Sequence, residues 1–173
     1  MWDADIIIKP EAIVKARDMI KDGYDLTYPY NGNFVNYDRF KFKQQFIDKK
    51  FDELLIGEEL HKKYEDKGTL VSLVSYGGVN LKNKASYIKA GMENEELRSF
   101  GSEDTELFHR FRQLKMKIGR VEDSVVYHLN HFRGENSSEV NKFANFNAAL
   151  CNVIGGKDKE EIEEMIAKWS WRK

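Results

Sequence analysis

A mixed α/β fold is predicted by three observations in this 173-residue chain. The apolar run Ile6-Ile7-Ile8, closed by Lys9-Pro10, reads as a strand over residues 4–8. The stretch "PEAIVKARDMIKDG" that follows carries the marks of a helix, and "YDLTYPYNG" then reads as a second strand ending in a Pro/Asn/Gly turn. Strand, helix and strand in succession are how an α/β layer begins.

The first helix is signed at both ends. Pro10 suits the first helical position, Glu11 the first turn and Gly23 the stop, with Ile13, Ala16 and Ile20 on one face. From Tyr37 to Tyr64 the chain is charged with aromatic punctuation. Phe42, Phe46, Phe51, Leu54 and Leu55 keep helical spacing there, as expected of an amphipathic surface helix or two. "TLVSLVSY" is a short strand followed by Gly77-Gly78, and a short helix from Asn83 or Lys84 to Ala90 should end at Gly91. In "SFGSEDTELFHRFRQLKMKIG", Ser102 is the expected N-cap and Glu103 and Asp104 fill the first turn. Leu107, Phe111 and Leu114 form the buried face, with Gly119 beyond the end. "RVEDSVVYHL" reads as a strand and "NHFRGENSSE" as a polar loop. "KDKEEIEEMIAKWSW" is a terminal helix with Ile162, Met165, Ile166 and Trp169 inward.

Composition narrows the function. Lys plus Arg number 28 against 29 Asp plus Glu, so the overall charge balance gives no footprint for nucleic acid or an anionic membrane. The one cysteine, Cys151, has no partner at ligand spacing and reads as a buried small apolar residue. No apolar run approaches the roughly 18 residues of a spanning helix. A cytoplasmic protein of one domain over 1–173, peripheral to a membrane at most, is the expectation.

Acidic and histidine groups recur at element ends: Asp3 with Asp5, Glu103 with Asp104, and His128 with His131. In a strand, Asp3 and Asp5 would share a face and repel unless a cation lay between them. Mg2+ and Mn2+ take carboxylate oxygens, and Mn2+ also accepts imidazole, so an aspartate pair with a histidine could hold a divalent ion against a diphosphate. A carboxylate fixed at a helix start can accept a proton from a substrate hydroxyl, although acids there also serve the helix dipole alone. His61 and His109, on helices among charges, read as surface histidines.

In order along the chain stand Asp3-x-Asp5 before "IIIKPEAI", then "YPYNG", "GG", "NKASYIKAGMENEELRSFGSEDTELFHRFRQLKMKIGRV" and "VYHLNH". Together they resemble the later half of a GT-A glycosyltransferase, closest to the galactosyltransferase-like inverting enzymes. The resemblance covers roughly residues 2–137, most specifically Gly101 to Leu107. It implies a GT-A-like α/β sandwich and transfer of galactose or N-acetylgalactosamine from a UDP-sugar to a saccharide or glycolipid hydroxyl, with inversion. It makes Asp5 a ligand of Mn2+ or Mg2+, Asp3 its companion near the donor ribose, and His128 or His131 the completing ligand, with His128 slightly favoured. Asp104 becomes the general base and Glu103 an acceptor contact. Gly77 and Gly78 allow close approach of the donor, and Tyr28, Tyr30 and Phe100 become flat surfaces for sugar rings.

The nucleotide-binding half that precedes the D-x-D in that family has no counterpart in this sequence. The expectation is therefore a fragment whose exposed sheet edge favours pairing with a second copy. A bacterial enzyme of surface polysaccharide synthesis, at the inner face of the membrane, is the implied setting. The rivals are a non-catalytic carbohydrate-binding or assembly module and, more remotely, a metal-dependent phosphoesterase built on Asp3, Asp5, His128 and His131.

Overall fold

The computed structural model describes residues 1–38, 69–72, 74–138 and 140–172. The mixed α/β character is as expected. The expected helical stripe from Phe42 to Leu55, and His61, lie outside the described residues. The described residues fall into two compact units, the first drawn from Met1–Met19, Thr27–Leu81 and Gly119–His131, the second from Ile20–Leu26, Lys82–Ile118 and Phe132–Lys173.

The first unit is built on a four-stranded sheet of order β1-β7-β3-β4. Branched side chains at Ile6–Ile7 favour extended backbone and form β1, shorter than the sequence suggests. The reason is a turn: the Ile6 amide donates to the Asp3 carbonyl at 3.1 Å, so Asp3 and Asp5 do not run through the strand as a pair on one face. β1 lies antiparallel to β7 (Val126–Asn130), with Ile6 opposite His128. β7 runs parallel to β3 (Phe34–Asp38), with Asn36 opposite the same histidine. β3 in turn pairs antiparallel with β4 (Thr69–Ser72). Residues opposite one another share a face of the sheet, so three strands place Ile6, His128 and Asn36 in one row. Tyr127 points the other way and packs with Ile7, Val35 and Leu129.

β3 corrects the reading of residues 37–38 as the start of a helix. The expected strand over residues 120–129 is also two strands, β6 (Ile118–Arg120) and β7, parted by a turn at Glu122 and Asp123. A second sheet has the order β5-β2-β6, from β2 (Leu26–Tyr28), β5 (Leu81–Lys82) and β6. Helix α1 (Pro10–Lys21) has the predicted ends, with Gly23 at φ +87°. It buries Ala12 and Ala16, while Ile13 and Ile20 are half-buried. The small side chains bring its backbone close enough for the Thr27 hydroxyl to donate to the Ala16 carbonyl at 3.1 Å.

The second unit contains α2 (Lys84–Lys89), α3 (Glu103–Gln113), α4 (Ala144–Gly156) and α5 (Lys159–Lys168). Asn83 caps α2 by accepting from the amides of Ala85 and Ser86, and Asp158 with Glu161 forms a reciprocal capping box on α5. Helix α3 packs against α4 and α5. Leu107, Phe111 and Leu114 meet there with Ile154, Ile162, Ile166 and Trp169 in a buried core. Cys151 on α4 is buried, as read from the sequence. Helix α4 itself was not foreseen, because "ANFNAALCNVIGG" lacks both a capping signal and a charged face.

The core of this unit also holds an ion pair. Arg110 and Glu106 are 0% and 1% exposed, joined at 2.8 and 2.9 Å by two parallel bonds one helical turn apart. The remaining guanidinium nitrogen donates to the carbonyls of Ala90 and Met92, and the group lies 5.0 Å from the centre of the Trp169 ring. Gly91 must be glycine to admit that ring, because a Cβ would come within 2.6 Å of it. Among the described residues, no helix is long and apolar enough to cross a membrane.

Candidate metal centre and acidic helix start

Asp5, His128 and His131 converge within the first unit. His128 sits inside β7, His131 one residue past its end, and Asp5 in the turn before β1, where its carbonyl accepts from the Leu129 amide at 2.8 Å. That backbone bond brings the Asp5 carboxylate to both rings: Oδ2 lies 2.7 Å from Nε2 of His131 and 3.2 Å from Nε2 of His128. All three ligand atoms lie within 4.8 Å of one another. Two ligands about 2.1 Å from one ion and at right angles are about 3.0 Å apart, close to both Asp5–histidine distances, so the three groups could hold a single divalent ion. Burial would raise the Asp5 carboxyl, but the charge of His128 and the hydrogen bond from His131 outweigh it and hold the group below the usual carboxylate range. His128 is buried and His131 exposed, so the cluster is walled on one side and open on the other. Both histidines lie in the cluster, where the sequence left the choice between them open. Asp3 is exposed and is not in the cluster.

Beside the cluster runs the Gly77-Gly78 loop. The Asp3 amide donates to the Gly78 carbonyl at 2.8 Å, and Trp2 bridges Val79, so the aspartate segment and the glycine loop are backbone neighbours. Gly78 has φ +82°, and a Cβ would stand 2.9 Å from Ile6 and 3.0 Å from Phe34, which requires a glycine for packing as well as for conformation. The loop is gripped from behind. Tyr30 donates to the Gly77 carbonyl at 2.7 Å and Arg120 to the Ser75 carbonyl at 2.8 Å. The Arg120 guanidinium carbon is 4.5, 5.2 and 5.5 Å from the ring centres of Tyr28, Tyr76 and Tyr30. This corrects the reading of Tyr28 and Tyr30 as platforms for sugar rings: both are fully buried and support the loop.

In the second unit, Glu103 and Asp104 open α3 as predicted, but Ser102 makes no side-chain cap. Its backbone is left-handed, φ +72°, and the Glu103 carboxylate instead reaches back past the cap to accept from the Gly101 amide at 2.8 Å. Ser99 at φ +62° and Gly101 at φ +112° are left-handed too. Two non-glycine residues in that region within four positions store strain, roughly 1–2 kcal/mol each, and such strain persists only where surroundings enforce it. Those surroundings are asparagines. Asn147 pairs through its amide with both backbone groups of Arg98, and Asn141 donates to the Phe100 carbonyl at 2.9 Å. Phe100 is half-buried with the Arg133 guanidinium 4.8 Å from its ring centre. Ser102→Gly should raise unfolding stability by roughly 0.5–1 kcal/mol in urea titrations, since glycine accepts that φ at no steric cost. A loss of stability would contradict the strain.

Residues 59–133 match the family model described as the N-terminal domain of galactosyltransferase. The match supports a galactosyltransferase-like glycosyltransferase family, and with it glycosyl transfer in general. The segment contains Gly77, Gly78, Phe100, Glu103, Asp104, His128 and His131, while Asp3 and Asp5 precede it. No curated protein and no solved structure matches the chain.

Three features escaped the sequence reading. Asn36 stands 2.8 Å from Nδ1 of His128, Arg120 braces the glycine loop, and Glu106 pairs with Arg110 in the core. His109, read as a surface histidine, is half-buried beside Gly155. Burial, together with the charge of Arg112, lowers its pKa.

Proposed function

We propose that this chain is part of a metal-dependent inverting glycosyltransferase that moves a sugar, galactose or N-acetylgalactosamine, from a UDP donor to a saccharide hydroxyl. The observation that carries the reading is the Asp5, His128 and His131 cluster beside a glycine loop, in a chain whose matched segment supplies two of the three ligands. Asp5, His128 and His131 would hold the ion. When bound, it offsets the negative charge that develops on the departing diphosphate.

The chain's own groups supply the rest. The glycine loop would offer backbone to the donor, and Asp3, exposed next to it, would meet a ribose hydroxyl. Asp104 takes the proton of the acceptor hydroxyl as the new glycosidic bond forms. Glu103 spends one carboxylate oxygen on the Gly101 amide, and its other oxygen takes an acceptor hydroxyl. One base acting on the face away from the leaving group gives inversion at the anomeric carbon. A membrane-face setting and pairing through the sheet edge belong to the same proposal.

The donor set narrows the metal. Two imidazoles and one carboxylate suit Mn2+, Co2+ or Zn2+, whereas Mg2+ and Ca2+ favour oxygen alone. Calorimetric titration should show Mn2+ binding at least about tenfold tighter than Mg2+, and equal affinities would count against the cluster as the site. The function itself is tested by Mn2+-dependent transfer from UDP-galactose and UDP-N-acetylgalactosamine to saccharide acceptors. Sugar binding without turnover would favour the non-catalytic module instead.

A further inference from the structure

The geometry points to Asn36 as the residue that sets the tautomer of His128 and so prepares its Nε2 to bind metal, an inference that rests on the metal reading above. In the register of the sheet, Asn36 of β3 and His128 of β7 are direct partners across a parallel pair, and their side chains share a face. The amide oxygen Oδ1 lies 2.8 Å from Nδ1 of the ring. An amide oxygen only accepts, so Nδ1 donates to it and Nε2 is the nitrogen left to bind an ion. Nε2 faces the Asp5 carboxylate, 3.2 Å from Oδ2.

The ring is held in this orientation from other directions as well. Phe34, two residues before Asn36 on the same strand face, sits 5.4 Å from it between ring centres at 32°, and the histidine is 4% exposed. A buried imidazole with no fixed partner would exchange tautomers and rotate. One locked by an acceptor offers a single nitrogen to the ion, and ligand histidines commonly depend on such a partner. Asn36 touches neither the ion nor the substrate, so it is a positioning residue.

The test compares wild type, Asn36→Asp, Asn36→Leu and Asp5→Ala, each as the whole 173-residue chain. Mn2+ and Zn2+ affinities are read by calorimetry, and thermal melting in chelator confirms that each variant folds. Asn36→Leu should weaken both ions by about 10–100-fold, and Asn36→Asp, which keeps the acceptor, should bind as tightly as wild type or tighter. Nitrogen-detected NMR of the Zn2+-loaded wild type should show His128 protonated at Nδ1 and bound through Nε2. The NMR assignment stands as the test even where Asn36→Leu fails to fold. Wild-type binding with an unaffected Asn36→Leu, or equal losses in the Leu and Asp variants, would overturn the role of Asn36 alone. Absence of metal binding by wild type would overturn the metal reading and this inference with it.

Discussion

Asp104→Asn is expected to slow sugar transfer by about 10²–10⁴-fold while leaving metal and UDP binding intact. Asparagine copies the shape of aspartate and accepts hydrogen bonds, but it cannot take up the acceptor's proton. The split between turnover and binding follows from the separate roles proposed for the groups. Asp104, in the first turn of α3, is the proposed base, whereas the proposed ion is assigned to Asp5, His128 and His131. Helix stability should change little, because loss of one first-turn charge costs roughly 0.3–1 kcal/mol and Glu103 and Glu106 remain in that turn. Steady-state transfer kinetics and UDP titration on the same variant decide the matter. Wild-type turnover would remove Asp104 from the mechanism, and loss of UDP binding would give it a different role. Glu103→Gln is a useful companion, since an acceptor contact should raise KM more than it lowers kcat.

Arg110→Met carries the largest expected effect on stability, a loss of about 3–5 kcal/mol. The substitution leaves the Glu106 carboxylate fully buried without its partner and strands the carbonyls of Ala90 and Met92. In a domain of this size that corresponds to a fall in Tm of about 10 °C. The double variant Glu106→Leu with Arg110→Met should recover much of the loss, because well-packed apolar residues replace buried ion pairs at little net cost. The residual deficit measures what the two carbonyls need. If the single variant melts with wild type, the pair is not the desolvated bridge described here.

The sequence was readable where local chemistry decides the outcome. Pro10, Asn83 and Asp158 begin helices, Gly23 and Gly91 end them with left-handed backbone, and Leu107, Phe111 and Leu114 are inward by spacing alone. It was less readable where the partner is distant. A single turn bond from Ile6 to Asp3 breaks the expected strand, and no pattern in "MWDADIII" encodes it. Asn36 became visible as a candidate positioning residue only when β3 was seen beside β7. Arg110 and Glu106 look like one more exposed helical pair in sequence. Their burial depends on α4, α5 and the turn at Gly91. Tyr28 and Tyr30 resembled open platforms until Arg120 was found against both rings.

For the site the division is similar. The order of acidic and histidine motifs singled out Asp3, Asp5, His128 and His131, of which the last three converge, yet H-x-x-H in a strand would place its two rings on opposite faces. The strand ends at Asn130, and the chain turns there to bring His131 back to Asp5. The strain at Ser99 and Ser102 had no signal in sequence beyond serines standing where glycine would fit more easily.

The most direct test of the account is calorimetric titration of UDP into the chain with and without Mn2+, repeated with Asp5→Ala. The account predicts UDP binding that requires Mn2+ and disappears in the Asp5 variant. UDP binding that is indifferent to Mn2+ and unchanged by Asp5→Ala would contradict it.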